Sequence, residues 1–429
     1  MIILHYTLGF PPERSGGLVK YAMDLMNEQQ SSGDEVIALF PGKINFFNKK
    51  IDIIKSSDKP LKMYEMVNSL PLPLFGGIKE PQKFMMGASP ELFERFFKKI
   101  GPDVIHVHTL MGLPKEFLEV AKKFSIKIVY TTHDYFGLSP NPTFYFNGKS
   151  FDNDNSVINW AKASENAFST AKLRIFQMKS YPRIRKLLSK LHGLLSKWST
   201  TTASVDKNLQ FSNKYLDELQ ELKNYYIDIF KLVDVFHFNS QLTMNVYTDN
   251  LDFSIKGEVI SITNALIKNR NIEYRPSGNK KIKIGYIGSN ESYKGFYDFV
   301  RFIKLLPISK FEFHSFGYDF SNEIEGLVQH GKYNFNELGS VYDSIDVLIV
   351  PSRCKETFGL VALEALSYKT PVFVSKNVGS KDLIESDFIF QDNTELIKEI
   401  RKWNLKYRFN HVKTIQEHCK ELRHLYLKQ

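Results

Sequence analysis

Short apolar runs alternate along this chain with longer segments whose apolar residues recur every three or four positions, and the two periods predict strands and helices in turn. Residues 2–6 predict a strand, and a loop bearing Gly9, Pro11, Pro12, Gly16 and Gly17 follows it. Leu18, Ala22, Leu25 and Met26 then share one face of a helix, and a second strand is predicted over 35–40. Units of this β-loop-α-β kind assemble into doubly wound parallel sheets. Apolar runs at 104–107 and 128–131, separated by a helical pattern over 115–123, extend that sheet, whereas the stretch from about 43 to 100 shows no regular period.

After Ser139-Pro140 the rhythm stops, and polar, mostly helical sequence fills the chain until Val233-Asp234-Val235-Phe236-His237-Phe238 restores a strand. A helical insertion is therefore expected at about 145–230. Inside it Leu187, Leu188, Leu191, Leu194, Leu195 and Trp198 fall on one helical face, with Arg183, Arg185, Lys186, Lys190 and Lys197 around them. A second α/β series starts at Lys281, with strands predicted at 282–287, 311–316, 347–350 and 371–375 and a helix from about 294 to 306. Residues 264–281, rich in Asn, Arg, Pro, Ser and Gly, read as the linker. The expected division is 1–265 for the first domain, 266–405 for the second, and 406–429 for a helix crossing back onto the first.

Composition narrows the class. With 429 residues, 43% hydrophobic and 14% aromatic, the chain can bury the cores of two α/β domains and has no low-complexity tract that argues for disorder. Its net charge of +10 is concentrated: residues 166–205 hold eight Lys or Arg and no Asp or Glu. Elsewhere the charges nearly balance, and no nucleic-acid-binding motif appears, so no nucleic-acid partner is expected. Two cysteines, Cys354 and Cys419, make neither a disulfide framework nor a zinc site. The first residues lack a basic leader region, and no run of 18 apolar residues occurs, so a cytoplasmic location without a spanning helix is expected. The basic amphipathic stretch 183–198 has the residue types of a helix lying on an anionic membrane surface. Packing of its leucines against the first domain is the other reading.

Candidate chemistry gathers after the run that ends at Pro351. Glu356 and Glu364 lie eight positions apart in Lys355-Glu356-Thr357-Phe358-Gly359-Leu360-Val361-Ala362-Leu363-Glu364-Ala365. A helix starting just after Gly359 would separate the two carboxylates by roughly 12 Å at 1.5 Å per residue, about the span from ribose to transferred sugar in a nucleotide sugar. Its N-terminus, with the free N–H groups of Thr357 to Leu360, suits a diphosphate lying between them. Spacing alone also fits a solvated helix face. Lys294, in the loop Gly288-Ser289-Asn290-Glu291-Ser292-Tyr293-Lys294-Gly295, opposes the dipole at a helix start unless an anion is bound there. In the first half, His133 follows a strand beside Asp134, at the kind of sheet end where ligands sit, and Gly17 lets backbone approach a ligand closely.

Together these residues resemble the retaining glycosyltransferases of family 4 and the wider GT-B class. The matching pieces, in order, are Gly16-Gly17, Pro102-Asp103-Val104-Ile105-His106-Val107-His108, Thr132-His133-Asp134-Tyr135, Asn239-Ser240, Asn264, Lys294-Gly295, Val350-Pro351-Ser352 and the Glu356 to Glu364 motif. The resemblance implies an α/β GT-B fold, two facing Rossmann-like doubly wound domains with a helical insertion in the first. It implies a metal-independent enzyme, with no cofactor, that moves a sugar from a nucleotide-sugar donor to a glycan or lipid-linked glycan acceptor with retention, in polysaccharide or glycoconjugate synthesis. Glu364 would hold the ribose, Lys294 the diphosphate, and Thr357, Phe358, Gly359 and Leu360 the phosphate and sugar, with Gly17 and Ser289 also contacting the donor. Glu356 and His133 would meet the transferred sugar from opposite domains. Three departures stand out: Ser289 and Asn290 occupy the place of a family arginine that helps hold the diphosphate, Leu138-Ser139-Pro140 stands where many relatives read Leu-Cys-Pro, and Lys369 replaces a glycine before Thr370-Pro371-Val372. A catalytically silent GT-B partner or glycan-binding scaffold, or a nucleotide-sugar epimerase, are the alternatives. The sequence names neither the base nor the sugar, though Phe316 and Tyr333 are candidates to stack on a base.

Overall fold

The computed structural model describes the chain apart from residues 46, 74–75, 179–210, 272–280, 321 and 429. The basic stretch 183–198 and half of the expected linker lie outside the described residues. Two parallel-stranded sheets organise the rest. The first takes β1 (Ile2–Tyr6), β2 (Glu35–Pro41), β3 (Asp52–Ser57), β4 (Lys62–Val67), β5 (Val104–Val107) and β6 (Lys127–Thr131). A hairpin of β7 (Tyr145–Phe146) and β8 (Lys149–Ser150) leads into the insertion, whose described helices are Val157–Ala163, Thr170–Phe176 and Asn213–Lys231. The first sheet then closes with β9 (Val235–Phe238) and β10 (Gly257–Val259), in the order β10-β9-β6-β5-β1-β2-β4-β3. Only β3 runs antiparallel, on the outer edge beside β4, and this hairpin falls in the stretch where the sequence shows no period.

The second sheet holds β11 (Ile282–Ile287), β12 (Phe311–Phe316), β13 (Leu327–Gln329), β14 (Val347–Val350), β15 (Val372–Ser375) and β16 (Ile389–Phe390). Their order, β13-β12-β11-β14-β15-β16, is parallel throughout. Continuous apolar runs such as Val347-Leu348-Ile349-Val350 suit a sheet covered by helices on both faces, and all four residues are buried. These are two Rossmann-like domains in the GT-B arrangement.

Strand order fixes where ligands can enter. The chain grows outward from β11 to one side and from β14 to the other, so the crevice between these strands is the switch point at which the following loops splay apart. In the first sheet the switch lies between β1 and β5. Register also decides which polar residues share that interior. His5 lies opposite His106 on β1 and β5, and Thr131 opposite His237 on β6 and β9. The helix Ile415–Leu427 crosses onto this domain, where Arg423 Nη1 reaches Asp34 at 2.6 and 2.7 Å and the His418 ring meets the Tyr21 hydroxyl at 2.7 Å. Among the described residues no helix is long and apolar enough to cross a membrane.

Candidate active site

The loops after β11 and β14 carry the charged groups of the second domain into its crevice. After β11 the chain makes a 3-10 turn at Ser292–Lys294, then Gly295, then the helix Phe296–Ile303. Lys294 therefore precedes the helix and does not open it. Gly295 takes φ 76°, and a Cβ there would come within 1.8 Å of the Pro351 carbonyl oxygen. Only glycine permits that approach, and the approach brings Lys294 beside the loop after β14. Its Nζ lies 3.0 Å from Glu356 Oε1, and the Ser352 hydroxyl also donates to that carboxylate. Burial lowers the lysine's proton affinity, but the Glu356 charge outweighs it and holds the ammonium above its ordinary range.

Glu356 itself lies before the helix, in a loop bridged to Val378. Gly359, at φ 91°, turns the chain into the helix Leu360–Ser367, and a Cβ there would strike Val378 at 2.6 Å. The first turn of such a helix leaves N–H groups without intrahelical partners and a positive dipole end. A cleft of about 290 Å³ opens there, lined by Lys294, Glu356, Thr357, Phe358, Gly359 and Leu360 from the second domain and by Gly17 and His133 from the first. Glu364, four residues along the helix from Leu360, lines an adjoining cleft of about 400 Å³ with Gly17, Lys20, Asn264, Tyr333 and Phe335. The two clefts share Gly17, Leu360 and Val361. Glu356 and Glu364 thus face neighbouring compartments on either side of one helix N-terminus.

Glu364 is 8% exposed, and burial pushes its carboxyl up to about 7 even though the Tyr342 hydroxyl donates to it at 3.3 Å. Ser289 stands outside the lining of both clefts, with its carbonyl accepting from the Tyr286 hydroxyl at 2.5 Å. Of the two candidate stacking residues, Tyr333 lines the second cleft, whereas Phe316 stacks on His330 with centroids 4.3 Å apart. Burial pushes the Cys354 thiol up to about 12, which leaves it no part as a nucleophile at neutral pH.

Thr357 ties the domains together. Its hydroxyl donates to the His133 carbonyl at 2.9 Å, and its own carbonyl accepts from the hydroxyls of Ser240 and Thr243, each at 2.8 Å. Lys355 pairs with Asp152 alongside. Sequence reading reached Ser240 only through Asn239-Ser240, missed Thr243 and Lys20, and reached Ser352 only within Val350-Pro351-Ser352. The first two are an N-cap pair on the helix Gln241–Asn250, a signal that marks a helix start and nothing more.

Among the described residues, His5, His106 and His108 form the one group with metal-ligand spacing. His106, however, has Nδ1 at 2.7 Å from the Tyr426 hydroxyl and Nε2 at 2.6 Å from Thr131 Oγ1. A cation could reach this ring only by displacing one of those partners.

Residues 15–261, more than half of the chain, match the sequence pattern of Glycosyltransferase Family 4. The chain belongs to glycosyltransferase family 4. Residues 281–403 of this family 4 protein match the pattern of Glycosyl transferases group 1, so both halves are accounted for. It is 33% identical over 143 residues to an uncharacterized 41.2 kDa protein in the cps region of Klebsiella pneumoniae, covering 30% of this chain and 39% of that one. A second such protein, of 42.6 kDa, is 22% identical over 293 residues, covering 67% of this chain and 60% of the relative. The family 4 chain thus spans less than two thirds of either relative's length. Among solved structures it resembles the apo lipopolysaccharide outer core galactosyltransferase WaaB, with a TM-score of 0.57, 12% identity and full coverage of both chains. It also resembles Anabaena Alr3699/HepE in complex with UDP and glucose, with a TM-score of 0.54, 13% identity and coverage of 100% and 99%. At these identities the likeness is one of fold alone.

Proposed function

We propose that this protein transfers a sugar from a nucleotide-sugar donor to a glycan or lipid-linked glycan acceptor during polysaccharide synthesis, with retention at the anomeric carbon. The observation that carries the reading is the pair of clefts meeting at the N-terminus of the helix Leu360–Ser367, with Glu364 in one and Glu356, Lys294 and His133 in the other. The nucleoside fits the Glu364 side, where the carboxylate accepts from ribose hydroxyls and Tyr333 offers a ring to the base. The diphosphate lies over the helix N-terminus, and Lys294 leaves Glu356 to meet it. As the glycosidic bond to phosphate breaks, charge develops on the leaving diphosphate, where the lysine and the free N–H groups stabilise it. That stabilisation comes wholly from protein groups, so the scheme needs no metal and no cofactor. Glu356 and His133 face the sugar from opposite domains, and closure through Thr357 sets their separation.

The acceptor is assigned to a cleft of about 250 Å³ in the first domain beside the loop after β1, where Phe10, Arg14, Phe40, Glu65 and Phe176 meet. Aromatic walls with charged groups at the edge suit a saccharide. Polysaccharide synthesis draws support from the two relatives in the Klebsiella cps region. The basic stretch 183–198 fits an anionic inner-leaflet surface carrying a lipid-linked acceptor in the cytoplasm.

Slow hydrolysis of a nucleotide sugar by the purified protein, screened over several donors and lost in Glu356→Ala, tests the reading directly. Thermal stabilisation by nucleotides without turnover of any donor in the presence of glycan acceptors points instead to a silent scaffold. Donor conversion to an isomer without acceptor points to an epimerase.

A further inference from the structure

Five histidines meet inside the first domain in a hydrogen-bonded chain whose direction can be worked out from one end. At that end His237 Nε2 lies 2.7 Å from the Ile260 carbonyl oxygen, which can only accept, so Nε2 carries the proton. A neutral imidazole has one donor and one acceptor nitrogen. All five rings are neutral at pH 7, because burial drives each well below its ordinary range, His237 and His5 to about 4 and His133 to about 3.

The rest follows link by link. His237 Nδ1 must accept from Thr131 Oγ1 at 2.8 Å, so that oxygen in turn accepts from His106 Nε2 at 2.6 Å. His106 Nδ1 then accepts from the Tyr426 hydroxyl at 2.7 Å, and the tyrosine oxygen accepts from the Gln29 amide nitrogen at 3.0 Å. The Gln29 amide oxygen, 2.7 Å from His5 Nε2, accepts from it. His5 Nδ1 accepts from His108 Nε2 at 2.9 Å, and His108 Nδ1 accepts from His133 Nε2 at 3.3 Å. Each donor meets an acceptor, and the only polarity consistent with the Ile260 carbonyl is this one. Chains of this kind polarise one another in a low-dielectric interior.

We propose that this chain locks His133 as the Nε2–H tautomer, so that its remaining ring nitrogen, Nδ1, meets the transferred sugar as a hydrogen-bond acceptor and never as a donor or a cation. His108, His5, Gln29, Tyr426, His106, Thr131 and His237 are then positioning residues. One consequence is specificity: the sugar must offer a hydroxyl or amide N–H at the position facing His133, and a carboxylate or phosphate there is rejected. A second is that Tyr426, on the C-terminal helix, helps set the state of a ring in the cleft although it lies at the far end of the chain.

The sugar contact rests on the function proposed above, but the tautomer does not, and it can be read without substrate. In the intact protein labelled with 15N-histidine, two-bond 1H–15N spectra at pH 7 should show His133 with a protonated Nε2 and a bare Nδ1 as a single species. In Tyr426→Phe, which removes one hydroxyl from the middle of the chain, that single species should be lost to a mixture of both tautomers while the fold, checked by the unshifted amide spectrum of the second domain, is kept. A protonated Nδ1 on His133 in the wild type overturns the proposal, as does an unmixed tautomer in Tyr426→Phe. If the tautomer is as stated but His133→Ala leaves donor KM and kcat unchanged, it is the sugar contact that fails, and the proposed donor orientation with it.

Discussion

Lys294 and Glu356 form an ion pair 3.0 Å long across the switch point of the second sheet, one from the loop after β11 and the other from the loop after β14. Each is the other's counter-ion, and neither can serve a donor without being released. This gives the two residues opposite signatures. Glu356→Gln frees the lysine, so a nucleoside diphosphate should bind at least as well as to wild type, while transfer falls about 100-fold through loss of a group facing the reacting sugar. Lys294→Ala should instead weaken the diphosphate about tenfold or more, as expected for a charge-assisted contact. Calorimetric titration of both variants with the nucleoside diphosphate and the nucleoside separates them. Equal loss of diphosphate affinity in both would contradict this division of roles.

The buried carboxyl of Glu364 predicts a pH dependence. Its folded pKa, about 7, lies above the ordinary 4.5, so the folded state holds the proton more tightly than the unfolded one. The resulting cost to stability is absent below the ordinary value, grows as pH rises, and is complete above about 7. By linkage it amounts to at most ~3 kcal/mol. Glu364→Gln should therefore raise the melting temperature at pH 8 and do little at pH 5. Ribose hydroxyls donate to the ionised form, so nucleotide binding expels the proton, and wild-type affinity should rise between pH 6 and pH 8. In Glu364→Gln the affinity should be weaker and flat over that range. A variant that keeps the wild-type slope would exclude Glu364 as its source.

Thr357 predicts where closure is controlled. Its carbonyl accepts from Ser240 and Thr243, and its hydroxyl reaches the His133 carbonyl. Removing both hydroxyls with Ser240→Ala and Thr243→Val leaves that carbonyl short of donors, at a cost of about 1–3 kcal/mol. This contact joins the two domains and lies in neither sheet, so the loss should appear as domain opening: a larger radius of gyration by X-ray scattering, a higher donor KM and an unchanged nucleoside affinity. An unaltered scattering profile with an unaltered KM would show that closure does not depend on this contact.

Much of this was legible in the chain because the switch-point loops are punctuated by glycine and proline. Pro351 marks the end of a strand whose apolar run is continuous, Gly295 and Gly359 mark the starts of the helices that follow, and the charged residues between them stand out. Ser289 shows the limit. Its position in the loop after β11 suggested a ligand contact, yet the turn at Ser292–Lys294 carries Lys294 into the cleft and leaves Ser289 outside. The histidine chain was illegible for a different reason. Its members are scattered from His5 to Tyr426, and they meet because parallel pairing sets β1, β5, β6 and β9 side by side in one register and two helices bring Gln29 and Tyr426 onto them. Nor does any local period disclose that Thr357 docks on the first domain, since that depends on how two separate sheets face each other.

The acceptor assignment makes a prediction that leaves the donor site alone. Arg14 lines the first-domain cleft with Glu65 and the Phe10 and Phe40 rings, and burial lowers its proton affinity without discharging it. Arg14→Ala should leave slow donor hydrolysis unchanged and raise acceptor KM about tenfold. Loss of hydrolysis in that variant would place Arg14 in the donor site instead.

Lys369 supplies a final prediction, about stability. It stands just past the helix Leu360–Ser367 that carries Glu364, at φ 57°, in the left-handed region. The Lys369 N–H bonds the Leu366 carbonyl at 3.1 Å and the Thr370 N–H bonds the Ala365 carbonyl at 2.9 Å, which together make a Schellman turn. The glycine the family pattern leads one to expect here is thus absent, but the backbone it serves is kept, at the cost of about 1–2 kcal/mol for a side chain in that region. Contact of the lysine Nζ with the Phe409 ring, 5.4 Å from its centroid, offsets part of this cost. Lys369→Gly should stabilise the protein by about 1 kcal/mol, a rise of about 2–4 °C in melting temperature for a domain of this size. Donor turnover should not change, because the turn and the position of Glu364 are the same. A lower melting temperature would show that the ring contact outweighs the backbone strain.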